Sequence, residues 1–237
     1  MSEWAAKRFW TTTATEEVPG GGFTITLDGK PVKTPAKALF VVPTVGLAKA
    51  AAEEWDAQSG KIDPGTMPVT RGANSAIDKV TPQHAEVVAL LAAYGDSDLL
   101  SYRAAGPEGL MAEQIAQWDP LLDWLDATYG VRLNTGEGVM HVAQDAAGQS
   151  TLHRALAELT PFELAAVHDL VSLSGSLVIA LAVMQGHLEV ERAWAISRVD
   201  EEWQIREWGE DEEARALEQK KKQAFLEAAT FFYLCQN

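Results

Sequence analysis

Cysteine is almost absent: Cys235 is the one thiol in 237 residues, so there is no internal disulfide framework and the chain suits a reducing compartment. A lone cysteine of this kind serves as a small buried hydrophobe. Basic residues are scarce too, 19 Lys and Arg against 34 Asp and Glu. The resulting net charge of -15 argues against nucleic acid or a membrane surface as partner, because such binding depends on cations that neutralise phosphates. Basic protein surfaces are favoured instead. The five histidines, His84, His141, His153, His168 and His187, share no ligand spacing, so neither a metal nor a cofactor is expected. Met1-Ser2-Glu3-Trp4 carries neither a basic segment before an apolar run nor an Arg-rich leader. No insertion into a membrane is expected either, since Leu170 to Met184 is short for a bilayer span and is interrupted by Ser172, Ser174, Gly175 and Ser176.

What is present is the balance of a globular chain, 47% hydrophobic and 22% charged residues, long enough for two modest domains. From Phe9 to Val42 the pattern alternates with period two and is rich in turn residues, which predicts a small antiparallel sheet. Asp28-Gly29 is the preferred pair for a tight hairpin, and Leu39 to Val42 supplies a further strand. A helix follows, capped by Thr44, with Leu47, Ala51 and Trp55 on one face and Gly60 beyond its end.

After Arg71 the signals are almost wholly helical, which places a domain boundary near residues 78–81 and divides the chain into a strand-rich domain with one helix, 1–79, and a helical domain, 80–237. The fold class is α+β, a small N-terminal β-rich domain followed by a larger all-helical one. Pro107 opens a helix that the Asp119-Pro120 step is expected to break or re-nucleate. Val131 to Val142 reads as extended loop. Thr160-Pro161-Phe162-Glu163 is a capping-box start, and its helix is expected to run on through the apolar stretch, with Ser174-Gly175-Ser176 as close-packed small residues inside it. Two further helices, about Glu189 to Glu207 and Glu210 to Leu234, are separated by Gly209, the second with Leu217, Phe225, Ala228 and Phe232 on one stripe.

No nucleophile elbow or phosphate loop is present: Ser174-Gly175-Ser176 lacks the flanking glycines, and Gly20-Gly21-Gly22 lacks the Lys-Ser/Thr ending. Glu53 and Glu54 are adjacent on a helix, where their side chains diverge, and they read as part of a solvated face. The richest segment is the corner Asp200-Glu201-Glu202-Trp203-Gln204-Ile205-Arg206-Glu207-Trp208-Gly209-Glu210-Asp211-Glu212-Glu213. Structurally, Trp203 faces the core, Gly209 turns the chain and the acids from Glu210 to Glu213 favour a helix N-terminus. As a partner surface, the same run offers tryptophan anchors with carboxylates to orient a basic client patch. Its candidate residues are Glu201, Glu202, Trp203, Trp208, Glu210, Asp211 and Glu212.

At these residues the chain resembles the assembly chaperones of the ATP synthase catalytic sector that bind its alpha subunit. The resemblance rests on Arg8-Phe9, Leu27-Asp28-Gly29-Lys30-Pro31-Val32-Lys33-Thr34-Pro35, Glu54-Trp55-Asp56-Ala57-Gln58, Asp98-Leu99-Leu100-Ser101-Tyr102-Arg103, Trp118-Asp119-Pro120, Glu201-Glu202-Trp203-Gln204-Ile205 and Trp208-Gly209, in matching order and spacing. Ser101 and Trp203 stand where some members carry cysteine and tyrosine. The resemblance implies a two-domain holdase that shields the apolar, beta-facing surface of the free alpha subunit until the beta subunit replaces it. It also implies that the chain is not an enzyme, with function in C-terminal acids, here Glu201, Glu202 and Glu212. A monomer is expected, because a holdase surface occupied by its own copy receives no client. Met1 close to the first motif points to a bacterial cytoplasmic protein, with the mitochondrial matrix as the alternative for a processed chain. The rival readings are a small-molecule enzyme using carboxylates at the interdomain cleft, with Asp98 and Arg103 as candidates, and a chaperone or adaptor for another oligomeric complex.

Overall fold

The computed structural model describes residues 7–209 and 211–236. By spatial clustering the chain forms two compact units. The first takes the chain up to His84, Thr160–Ala166 and the residues from Thr230 on; the second takes Ala85–Leu159 and Val167–Ala229. A small strand-containing N-terminal region followed by a mostly helical remainder is the α+β class expected.

In the first unit, β1 (Thr13–Glu17), β2 (Phe23–Leu27), β3 (Lys30–Pro31) and β4 (Val41–Val42) form one antiparallel sheet. Strand β2 is central: β1 lies along one edge in the register Thr15 to Ile25, while β3 and β4 share the other. The β2–β3 hairpin turns on Asp28 (φ 49) and Gly29 (φ 74), two left-handed residues as the Asp-Gly pair predicts. Helix α1 (Val45–Ala57) starts at Thr44, whose hydroxyl accepts from the Leu47 amide at 3.2 Å. Its buried face, Leu47, Ala48 and Ala51, joins Ile25, Phe40 and Val42 in the core. Helix α2 (Pro68–Ser75) follows, and a wide helical turn at Ala76–Val80 and a tight one at Thr81–Gln83 carry the chain into α3 (His84–Ala93). The boundary expected near residues 78–81 lies within this helical path.

The second unit is built on α4 (Glu108–Tyr129). This helix passes through Pro120 unbroken, contrary to expectation. An interior proline costs about 3 kcal/mol through its missing hydrogen bond and ring clash. The burial of Trp118, Leu121, Leu122 and Leu125 along one face offsets it. Trp118 is locked further by its indole N–H, which donates to the Ile196 carbonyl at 3.0 Å. Two short strands, β5 (Tyr102–Arg103) and β6 (Gly136–Glu137), pair in parallel within the loops, and α5 (Ala146–Ala157) is capped by Asp145.

The Thr160 capping box forms as read, with Glu163 accepting from the Thr160 amide at 2.8 Å. The single apolar helix expected after it is in fact two, α6 (Pro161–Ser174) and α7 (Leu177–Met184). Gly175 ends α6 in the left-handed region (φ 74) and Ser176 caps α7, accepting from the Ile179 amide at 3.0 Å. Ser-Gly-Ser is therefore punctuation here and not a small-residue packing seam. The region expected as one helix from Glu189 also divides, into α8 (Val190–Ser197) and α9 (Val199–Trp208), with a bend at Arg198 (φ -114, ψ 16). Helix α10 (Glu212–Leu234) buries Phe225, Ala228 and Phe232 as predicted, but Leu217 is 55% exposed. Cys235 is half-buried in the first unit, its thiol pushed up to about 12 by burial.

Candidate functional site

The acidic corner is where α9 ends and α10 begins, and the chain turns there at Gly209 (φ 88). Three side chains tie α9 to α4. Gln114, 1% exposed, donates to the Asp200 carboxylate at 2.6 Å and accepts from the Ala104 amide at 2.8 Å. Arg206 grips both carboxylate oxygens of Glu113 at 2.7 and 2.8 Å. Trp203 lays its indole edge over Gly109 so closely that a Cβ there has no room, while the Arg206 guanidinium sits 5.2 Å from the ring centroid. Trp203 is thus a packing residue beneath the corner.

The other candidates separate into held and free groups. Glu201 is half-buried and pairs with Arg198 at 2.8 Å, one turn back on the same stretch of chain. Asp211 caps α10, its carboxylate accepting from the Glu213 amide at 3.0 Å and its carbonyl from the Arg215 amide at 2.9 Å. Glu202 and Glu212 are exposed, and Trp208 is exposed at 80%. Glu210 lies outside the described residues. Glu202 opens onto a cleft of about 320 Å³ between α4, α8, α9 and α10, which Arg198, Arg206, Glu218 and Lys222 also line. Carboxylates and cations alternate around it, which suits polar contact with a protein surface more than enclosure of an apolar small molecule.

The carboxylate and arginine of the rival enzyme reading have other work. Asp98 is fully buried and holds the α6–α7 break, accepting from the Leu100 amide at 3.0 Å and the Val178 amide at 3.1 Å. Burial dominates its environment and raises its pKa to about 6 despite those hydrogen bonds. Arg103 donates to the Leu100 carbonyl at 3.0 Å, pairs with Asp119 at 2.8 Å and stacks over Trp118. Among the described residues no group of three or more His, Cys, Asp or Glu side chains is placed to hold a metal ion. None of the described helices is long and apolar enough to cross a membrane.

The remaining shared motifs are joints of the fold. Arg8 donates to the Gln58 carbonyl at 2.8 Å and pairs with Asp56 at 3.1 Å, its guanidinium lying against Trp10, which meets Trp55 edge to face. Glu54 caps α2, accepting from the Val69 and Thr70 amides at 2.6 and 2.8 Å. Sequence reasoning passed over Gln114 and gave Glu54 a solvated role. A buried polar side chain aimed at a distant backbone leaves no periodic signal.

The structure thus holds a strand-bearing unit, a helical unit and an exposed acidic corner with a bare indole. The model of the ATP12 chaperone proteins matches residues 7–126, and the chain belongs to that family of ATP synthase assembly chaperones. The protein atp12, mitochondrial, of Schizosaccharomyces pombe is 27% identical over 241 residues, covering 97% of this chain and 82% of that protein. Atp12 of Paracoccus denitrificans is 45% identical, with a TM-score of 0.94 over 98% of this chain and 100% of that one. A mutant form of the same protein gives 0.95 over 99% and 100% at 45% identity. A protein of Agrobacterium tumefaciens gives 0.88 at 42% identity, over 94% of this chain and 85% of that one. Relatives therefore occur in both mitochondria and bacteria. Membership in a chaperone family implies a role without catalysis.

Proposed function

We propose that this chain, a chaperone of ATP synthase assembly, holds the unassembled alpha subunit of the catalytic sector until the beta subunit takes its place. The observation that carries the reading is Trp208, 80% exposed within a run that sets eight carboxylates against one arginine between Asp200 and Glu213. An exposed indole is an anchor for an apolar surface, and the carboxylates around it favour a basic rim and speed encounter. Glu202, Trp208, Asp211 and Glu212 are the contact residues; Glu201 and Trp203 support them through Arg198 and Gly109. Glu210, in the same acidic run, is a candidate contact on its place in the sequence alone. The chain acts as a monomer, in the bacterial cytoplasm, or in the mitochondrial matrix if it is an organellar chain.

The test is to co-express the chain with its own organism's alpha subunit in a host lacking both and to follow soluble alpha. The reading expects soluble alpha in a one-to-one complex with the chain. Alpha that stays insoluble in its presence, with the chaperone folded and abundant, overturns it.

A further inference from the structure

The first three turns or so of α10, Glu212–Gln223, are exposed on every side, with Glu218 alone half-buried. Burial begins only at Phe225, which packs on Trp194 at 5.6 Å between ring centroids. A helix that buries no apolar face draws little stability from tertiary packing, so its conformation has to be encoded largely by local sequence. It is. The run Glu-Glu-Ala-Arg-Ala-Leu-Glu-Gln-Lys-Lys-Lys-Gln contains no glycine, proline or β-branched residue, Asp211 caps it, and Glu218 precedes Lys222 by four positions in the favourable order. The anchored half of α10 supplies the nucleus from which it propagates.

Strong helix formers where no apolar face is buried make a preorganised rod, and two large apolar side chains are held out on it or at its end, Leu217 (55% exposed) and Trp208 (80%). Its charge is polarised: Glu207, Asp211, Glu212 and Glu213 surround the tip, while Lys220, Lys221 and Lys222 ring the foot. We propose that Glu212–Gln223 is a gripping rod that lies along the client, burying Leu217 and Trp208 in an apolar strip whose flanks are basic opposite the tip and acidic opposite the lysines. The inference rests on the chaperone reading above and adds to it both the element that grips and the orientation of the client. A rod already helical loses little conformational freedom on binding, which helps capture, and its narrow contact leaves the larger native subunit interface able to displace it.

The experiment uses the full-length chain and the purified unassembled alpha subunit as probe, with binding titrated for wild type, Trp208→Ala/Leu217→Ala and Lys220→Glu/Lys221→Glu/Lys222→Glu, and amide exchange followed across 212–223. All five positions are exposed, so far-UV circular dichroism and the unfolding midpoint of the double alanine variant should match wild type, and the triple variant should fall only slightly below it through loss of the Glu218–Lys222 pair. The expected result is affinity reduced roughly tenfold or more by the double alanine variant, as for loss of central anchors. The triple variant should bind more weakly at low salt with the deficit shrinking as salt rises, and exchange across the rod should slow on complex formation. Undiminished capture by the double alanine variant, or a rod exchanging as fast in the complex as alone, overturns the proposal while leaving the client assignment standing. A wild-type chain that fails to capture alpha overturns the client assignment, and this inference with it.

Discussion

Replacing Asp98 with asparagine isolates the one carboxyl buried completely among the described residues. Its pKa stands at about 6 against an ordinary 3.8, so the folded protein keeps a proton through a range in which the unfolded chain has lost it. Between those values the folded state binds more protons, and stability falls as pH rises; above about 6 the loss is complete, and below about 4 both states are protonated and it vanishes. At about 1.4 kcal/mol per pKa unit the full change is ~3 kcal/mol. Urea unfolding of wild type and Asp98→Asn from about pH 4 to pH 7 gives the answer as a difference, because the many other carboxylates titrate alike in both proteins. Wild type should lose about 2.5 kcal/mol more than the variant over that window. The variant's own contribution does not vary with pH; against protonated wild type it costs about 1–3 kcal/mol, since its amide N–H₂ meets one of the two backbone donors, Leu100 or Val178, that the carboxyl accepts from. Parallel profiles would refute the argument that burial governs this group.

Glu54→Ala should destabilise the protein by about 1–2 kcal/mol at neutral pH by uncapping α2, read as a lower denaturant midpoint. Gly175→Ala forces a side chain into φ 74 between α6 and α7 and should cost about 1–2 kcal/mol, measured by thermal unfolding. The two tryptophans of the corner should separate cleanly: Trp203→Ala lowers stability by about 2 kcal/mol or more because its ring packs on Gly109, whereas Trp208→Ala stays within about 0.5 kcal/mol of wild type.

The parts of the fold legible in the sequence are those written in local chemistry. Asp28-Gly29, the Thr44 cap and the Thr160–Glu163 box each fix a turn or a helix start with neighbouring residues, and each forms as read. The errors fall where a tertiary contact outweighs a local signal. Pro120 says stop, but Trp118 and its leucine neighbours hold α4 together through it. Ser174-Gly175-Ser176 looks like the interior of an apolar run because its flanks are buried, although Gly175 and the Ser176 cap mark the break locally and buried Asp98 holds it from a distant part of the chain. In the corner, the run of acids and both indoles were visible, and a core-facing Trp203 was one of two readings that local sequence left open. Trp203 and Trp208 differ by five positions and by which of them finds Gly109.

The measurement that bears most directly on the chaperone account is displacement. A purified complex of this chain with the alpha subunit is challenged with the beta subunit and nucleotide, and the species are separated by mass. The account predicts that alpha moves into alpha–beta assemblies and the chain is released intact, with no metabolite turned over; a chain that stays bound within the finished hexamer, or alpha that assembles equally well after storage without it, contradicts the account.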